Sequence, residues 1–257
     1  MDRFAGQVAV VTGGAGGIGR AIGVRLAAEG AMVAIVDLPS ADADDVVAQI
    51  AAAGGEAWSL PADVTRWDQL SAAVDEAARR GGRLDAIVNN AGINGPQAPV
   101  HEHPEDAFDR VIAVDLKSVW LGMRAAIPHM LERGGSIVNT ASTAGFIAYA
   151  GMAGYTAAKH GVVGLTKCAA LEYASVPIRV NCICPAPIDT PMMWDTERRM
   201  YPDRPEDARA LFASMQPMNR YGTPGEVAAL ATFLLAPEAS YLTGAAYPVD
   251  GGLLAKP

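Results

Sequence analysis

Gln7-Val-Ala-Val-Val-Thr12, then Gly13-Gly-Ala-Gly-Gly-Ile-Gly19, then an apolar-periodic run over 20–29: these three consecutive blocks decide the fold. The first is apolar on both faces, as a parallel strand covered on two sides must be. The second places five glycines in seven residues. The third has helical spacing and closes on Gly30, a residue type suited to the left-handed position after a helix. Glycines carry most information in this order of strand, loop and helix. A loop without side chains lets a ligand reach the backbone, and the helix N-terminus offers N–H groups and the positive end of a dipole to a pyrophosphate. Two registers fit: Gly14, Gly16 and Gly19 as GxGxxG, or Thr12, Gly13, Gly17 and Gly19 as TGxxxGxG. A tight packing turn is the competing reading.

The pattern repeats downstream. Residues 31–36 predict a second strand ending at Asp37, eighteen positions past Gly19. A carboxylate there accepts hydrogen bonds from adenosine ribose hydroxyls and repels a 2′-phosphate. Leu38 and Pro39 follow with no basic residue, so NAD is favoured over NADP. Further strands are expected at 56–60, 84–88, 135–140, 178–184 and 245–249, and helices at 42–53, 67–79, 104–131 and 225–236. This alternation predicts an α/β fold: a doubly wound parallel sheet of about seven strands, with helices on both faces and right-handed crossovers. No repeat or linker divides the chain, so 1–257 reads as one domain.

The chemistry concentrates in Tyr155-Thr-Ala-Ala-Lys159 and in Ser142 beyond the expected fifth strand. On a helix, residues four apart leave the same face, about 6 Å from one another. A free tyrosine has a pKa of about 10 and is a poor base at neutral pH. A nearby ammonium favours the phenolate and is expected to draw that pKa down. Taken alone, the Tyr–Lys pair also fits an Ala-rich core helix with two exposed polar residues.

Net charge is −8 and the pI is near 5.0, which argues against nucleic acid as a partner. No 18-residue apolar window suggests a membrane span, and no leader pattern precedes the first strand, so a cytoplasmic protein is expected. Cys168, Cys182 and Cys184 sit in apolar segments and read as buried, reduced thiols without a second pair to hold zinc. His101 and His103, flanked by Pro99 and Pro104, read as a solvated loop, and no metal is expected. Residues 189–218 carry Met192, Met193, Trp194, Met200, Tyr201, Phe212 and Met215 among prolines and charges. They suggest a lid over a hydrophobic ligand. A surface helix pair is the alternative, and Arg198 and Arg199 read as its solvated face.

Together these motifs resemble the short-chain dehydrogenase/reductase family, in its NAD(P)-dependent branch of about 250 residues built on a Rossmann fold. Thr12-Gly13-x-x-x-Gly17-x-Gly19 resembles the family's cofactor loop, with Ile18 inside it. Asp37 matches the acidic NAD-selecting position, Asp63-Val64 the adenine-contacting pair, and Asn89-Asn90-Ala91-Gly92 the NNAG segment. Ser142 lies thirteen residues before Tyr155, and Lys159 completes the centre. The resemblance implies that Tyr155 is the general acid/base, that Ser142 orients the substrate oxygen, and that Lys159 holds the nicotinamide ribose and lowers the Tyr155 pKa. It also implies cofactor contacts from Pro185, Ile188 and Thr190, and a homotetramer packed through long helices such as 153–173.

Two positions depart from the family pattern. Asp115 stands where Asn is usual in the catalytic set, which adds a negative charge near Lys159. Ala186 stands where Gly is usual after Pro185. The function expected is NAD-dependent interconversion of a secondary alcohol and a ketone, on a bulky or cyclic hydrophobic small molecule. The alternatives are an NADPH-dependent 3-oxoacyl-thioester reductase and an NAD-binding sensor or scaffold without catalysis.

Overall fold

A computed structural model describes residues 2–256. Strands β1 (Val8–Thr12), β2 (Met32–Asp37), β3 (Glu56–Pro61), β4 (Ala86–Asn89), β5 (Gly135–Thr140), β6 (Ile178–Pro185) and β7 (Ala246–Val249) pair in parallel, in the order β3-β2-β1-β4-β5-β6-β7. Alternation along each strand feeds two cores. Val8 and Val10 join the core that takes Leu70 and Val74 of α3 (Trp67–Gly81), Leu121 of α5 (Ser118–Met130) and Val162 of α6 (Ala153–Glu172). Ala9 and Val11 join the core of α1 (Gly17–Ala28), α2 (Ala43–Ala52) and α9 (Pro224–Leu235). Ile35, Ile87 and Ile137 are wholly buried on neighbouring strands. Each such side chain contributes about 1.5–3 kcal/mol on burial, more than local helix or strand preference supplies.

Strand order reverses between β1 and β4, so a crevice opens beyond their C-terminal ends, where doubly wound sheets bind ligands. That crevice receives the glycine run from β1 and the Asn90 segment from β4.

Two boundaries differ from expectation with consequences for the site. Helix α1 begins at Gly17 rather than at residue 20, so Gly17, Ile18 and Gly19 form its first turn. The helix expected over 104–131 is α4 (Glu105–Ile112), a π-turn at Ala113–Lys117, and α5. The Ser118 hydroxyl donates to the Val114 carbonyl across this widened turn, a type of irregularity frequent at functional sites. The region after β6 folds as two short helices, α7 (Pro191–Met200) and α8 (Pro205–Met215).

Cys168 is exposed, against expectation, because its position on α6 faces away from the sheet. Cys182 and Cys184 are buried on one face of β6 with sulfurs 3.7 Å apart. His101 is solvated as expected, though on a short 3-10 turn at Val100–Glu102, whereas the His103 ring nitrogens beyond it are buried without a partner beside Phe108. Among the described residues no helix is long and apolar enough to cross a membrane, and no group of three or more His, Cys, Asp or Glu is placed to hold a metal.

Candidate active site

The ends of β1 and β4 are fastened by Thr12 and Asn90. The Thr12 hydroxyl accepts from the backbone N–H of Asn90 at 2.9 Å and of Ala91 at 3.2 Å. The Asn90 side-chain amide donates to the Thr12 carbonyl at 3.1 Å and the Gly13 carbonyl at 3.2 Å. Asn90 thereby shapes the glycine loop, in addition to lining the crevice.

The loop geometry selects the Thr12-Gly13-x-x-x-Gly17-x-Gly19 register. Gly13 has φ +63°, and a Cβ there would lie 2.8 Å from the Ala91 Cα. Gly17 has φ +53°, in the left-handed region that L side chains avoid. A Cβ on Gly19 would collide with the Gly13 carbonyl. Gly16 has neither a positive φ nor any neighbour within 4 Å of a Cβ, so the other register carries no such requirement there. Asp37 closes the loop from the side: its carboxylate accepts from the N–H of Ala15 at 2.9 Å and of Leu38 at 2.8 Å.

A single cavity of about 740 Å³ runs from this loop past the C-terminal edge of the sheet. Of the predicted site residues, only Gly19 lies off its wall, where it packs the loop. Gly13, Gly17, Ile18, Asp37, Asp63, Val64, Asn90, Ala91 and Gly92 line one part. Asp115, Ser142, Tyr155, Lys159, Pro185, Ile188 and Thr190 line the remainder, and Ala186 lies among them.

Ser142 follows β5 and caps the short turn Thr143–Gly145, accepting from the Ala144 N–H at 3.1 Å and donating to the Pro185 carbonyl at 3.4 Å. Tyr155 and Lys159 sit one turn apart on α6, with Nζ 5.4 Å from the Tyr155 ring centroid. Lys159 is only 3% exposed and donates to the Thr140 carbonyl at 3.2 Å. Its Nζ lies 3.1 Å from Oδ2 of the fully buried Asp115. The other Asp115 oxygen accepts from the Ile93 N–H at 2.9 Å. The π-turn points Asp115 inward, and Gly92 leaves it room: a Cβ on Gly92 would lie 3.1 Å from Oδ2.

The Tyr155 pKa runs opposite to the sequence expectation. Burial pushes it above the ordinary phenol value. Lys159 and Ser142 pull it down, but Asp115 adds to the burial effect and the net direction is up. The lysine pKa is itself raised: burial opposes its charge, and Asp115, Tyr155 and Cys182 together outweigh that. Burial raises the Asp115 carboxyl. The spacing of Tyr155 and Lys159 is as expected and the lysine does pull the phenol down, but burial, with Asp115 adding to it, outweighs that pull.

Helices α7 and α8 cover the cavity unevenly. Met192, Met193, Phe212 and Met215 face it, whereas Trp194 and Tyr201 do not and remain more than 40% exposed. The Asn94 amide donates to the Thr196 hydroxyl at 2.9 Å, and Arg209 pairs with Asp189 at 2.9 Å. Arg198 pairs with Asp195, and neither Arg198 nor Arg199 lines the cavity. Sequence reasoning did not single out Thr143, Tyr149, Met152 or the Thr140 carbonyl, which belong to irregular or backbone positions with no motif of their own.

A family model described as Enoyl-(Acyl carrier protein) reductase matches residues 13–254. Levodione reductase of Leifsonia aquatica is 41% identical, over 97% of this chain and 95% of its own. Cis-4-hydroxycyclohexanecarboxylate dehydrogenase of Sinomonas cyclohexanicum is 43% identical over 99% of both chains. The crystal structure of carveol dehydrogenase from Mycobacterium avium in complex with NAD covers 100% of both chains, with TM-score 0.94 and 33% identity. Similarity that spans the whole fold, together with the glycine loop and the Ser–Tyr–Lys wall, settles the kinship: the chain belongs to the short-chain dehydrogenase/reductase family.

Proposed function

We propose that this protein is an NAD-dependent oxidoreductase that interconverts a secondary alcohol and a ketone on a bulky or cyclic hydrophobic substrate. The observation that carries the reading is one cavity with the glycine loop and Asp37 at one end and Ser142, Tyr155 and Lys159 at the other. The positive φ at Gly13 and Gly17, and the crowding any Cβ on Gly13 would meet, fit a backbone cradle for a pyrophosphate. Two relatives support the substrate class by name, one a reductase and one a dehydrogenase of a hydroxycyclohexane acid. A structural relative was solved with NAD.

In this reading the backbone of Gly13, Gly17 and Ile18 holds the pyrophosphate, and Gly19 keeps the loop in shape. Asp37 accepts from the adenosine ribose hydroxyls. Asp63 and Val64 flank the adenine, and the backbone of Asn90, Ala91 and Gly92 lies against the adenosine. Lys159 holds the second ribose. Pro185, Ile188 and Thr190 hold the carboxamide. NAD, when bound, supplies the hydride acceptor or donor.

The protein's own residues move and place the proton. Ser142 donates to the substrate oxygen and fixes its position. Tyr155 gives its phenolic proton to a ketone oxygen, and takes the alcohol proton in the reverse direction. A phenol that stays protonated at neutral pH is suited to the first role, and alcohol oxidation gains as pH rises. Asp115 is a positioning residue: it keeps Lys159 charged and in place and ties it to the Ile93 backbone. Helices α7 and α8 act as the lid that excludes water from the apolar end.

Asp37 sets cofactor choice through like-charge repulsion of a 2′-phosphate, a penalty of several kcal/mol. Asp37→Ser is expected to shift the ratio of kcat/KM for NAD⁺ over NADP⁺ towards NADP⁺ by about ten-fold or more. An unchanged ratio would remove Asp37 from that role. The reading itself is tested with NAD⁺ and a panel of cyclic secondary alcohols: absorbance of the reduced cofactor should grow with time. No growth over the panel, with NAD binding intact, would leave a binding protein instead of an enzyme.

A further inference from the structure

The apolar end of the cavity contains one pair of hydroxyls that the reaction does not use. Thr143 Oγ1 and Tyr149 OH lie 2.9 Å apart, and both residues line the cavity next to Ser142. Two hydroxyls carry two hydrogens, and their mutual bond uses one. Among the described residues neither oxygen has a second partner. Whichever way the pair is oriented, one O–H donor is left over on the wall of a cavity that Met152, Met193, Phe212 and Met215 also line. Thr143 is 1% exposed, so bulk water reaches its side of the pair poorly.

Other polar groups on that part of the wall are already engaged or lie at the rim. The Asn94 amide donates to Thr196. The Gln216 amide, with its nitrogen turned inward, donates to the Ala213 and Phe212 carbonyls. Gln97 is exposed. Arg110 also lines the cavity but is exposed, which leaves the Thr143–Tyr149 pair, one residue buried and the other half-buried, as an inward group with a hydrogen to give. An idle donor in a buried apolar setting is costly, and a ligand acceptor relieves that cost.

We propose that the Thr143–Tyr149 pair is a second polar contact for the substrate, and that the substrate is a cyclic alcohol or ketone carrying a second oxygen that accepts its hydrogen. This rests on the oxidoreductase reading above and narrows its substrate class. The Asp250 carboxylate acts on the Tyr149 phenol, while its own oxygens accept from the Gly252 and Leu254 N–H groups. Burial, followed by that carboxylate, raises the Tyr149 pKa against the opposing bond from Thr143. Tyr149 therefore keeps its proton and remains able to donate across the working pH range. Asp250 acts on Tyr149, Tyr149 in turn acts on Tyr155 of α6, and the Arg110 guanidinium of α4 also lines the cavity.

The test compares the 1,2-, 1,3- and 1,4-cyclohexanediols with the methylcyclohexanols of the same substitution, in which a methyl group replaces the second hydroxyl. With NAD⁺ saturating, the ratio of kcat/KM for diol over methyl isostere is measured on wild type and on Tyr149→Phe. Both substrates are run on one preparation, so the ratio does not depend on the fraction folded. After correction for the diol's two equivalent hydroxyls, at least one ring isomer should favour the diol by about ten-fold in wild type, and Tyr149→Phe should bring that ratio to about one. A wild-type ratio near one for every isomer, or a preference that survives Tyr149→Phe, overturns the second contact and leaves the oxidoreductase reading standing. Turnover of no cyclic alcohol at all overturns both.

Discussion

Tyr155→Phe should lower kcat about a thousand-fold in both directions while leaving cofactor binding intact. The substitution removes one oxygen and keeps the ring that packs 5.4 Å from Lys159. General acid–base catalysis by a placed side chain contributes roughly 10²- to 10⁴-fold, and no other phenol or carboxyl is placed to replace this one. Tyr149 lies in the same cavity, but it is paired with Thr143 and burial holds its proton, so it can bond a substrate oxygen without exchanging a proton with the reacting one. Asp115 is shut behind Lys159. Initial rates at saturating cofactor and alcohol check the result, with NAD binding followed separately. A loss in KM alone would mean that the hydroxyl only binds substrate.

The second large effect belongs to Lys159→Met, which keeps most of the side-chain volume and deletes the charge. Breaking a buried ion pair from one side typically destabilises by about 3–5 kcal/mol, because the remaining charge has no partner. Asp115 is fully buried, so it would be that charge. Its folded-state pKa is already raised by burial, and loss of Lys159 removes the largest opposing influence. A carboxyl whose folded pKa exceeds its unfolded value favours the fold while protonated. Stability is then present at low pH and lost as pH rises through the folded value. The unfolding free energy of Lys159→Met should therefore fall, relative to wild type, as pH rises out of the ordinary carboxylate range. Adding Asp115→Asn keeps an acceptor for the Ile93 N–H and removes the stranded charge, so stability should return while activity stays about a hundred-fold or more below wild type. Urea unfolding at pH 5 and pH 8 on the single and double variants checks the sign. A double variant no more stable than Lys159→Met would contradict the ion-pair account.

The sheet was legible because each strand is a short apolar run and each glycine-bearing turn sits at a strand end. The helix starting at Gly17 was read late because glycine and isoleucine carry weak helix signals, while the loop geometry that decides the first turn is a matter of φ at Gly13 and Gly17. The residues of the π-turn at Ala113–Lys117 suit an ordinary helix, so only the family resemblance at position 115 points to a kink there; in the structure Asp115 of that turn packs beside Gly92 and Lys159. Nearly all the predicted site residues line the one cavity, since motif residues cluster at strand ends that a parallel sheet gathers together. The net direction of the Tyr155 pKa differs from expectation because i,i+4 spacing reports the lysine but not how deeply the phenol is buried; the Asp115 charge, which the sequence did show, adds to that burial. Thr143 and Tyr149 were passed over because a turn and an irregular segment bring them together.

Proton transfer through Tyr155, in a field set jointly by Lys159 and Asp115, is the centre of this account. The most direct test is the pH dependence of kcat/KM for alcohol oxidation, measured on wild type and Asp115→Asn under one set of conditions. Asp115 opposes the phenolate, so its neutral replacement should move the rising limb of the profile to lower pH, with NAD affinity and unfolding midpoint recorded alongside. Superimposable profiles from two equally folded, equally NAD-competent proteins would contradict it.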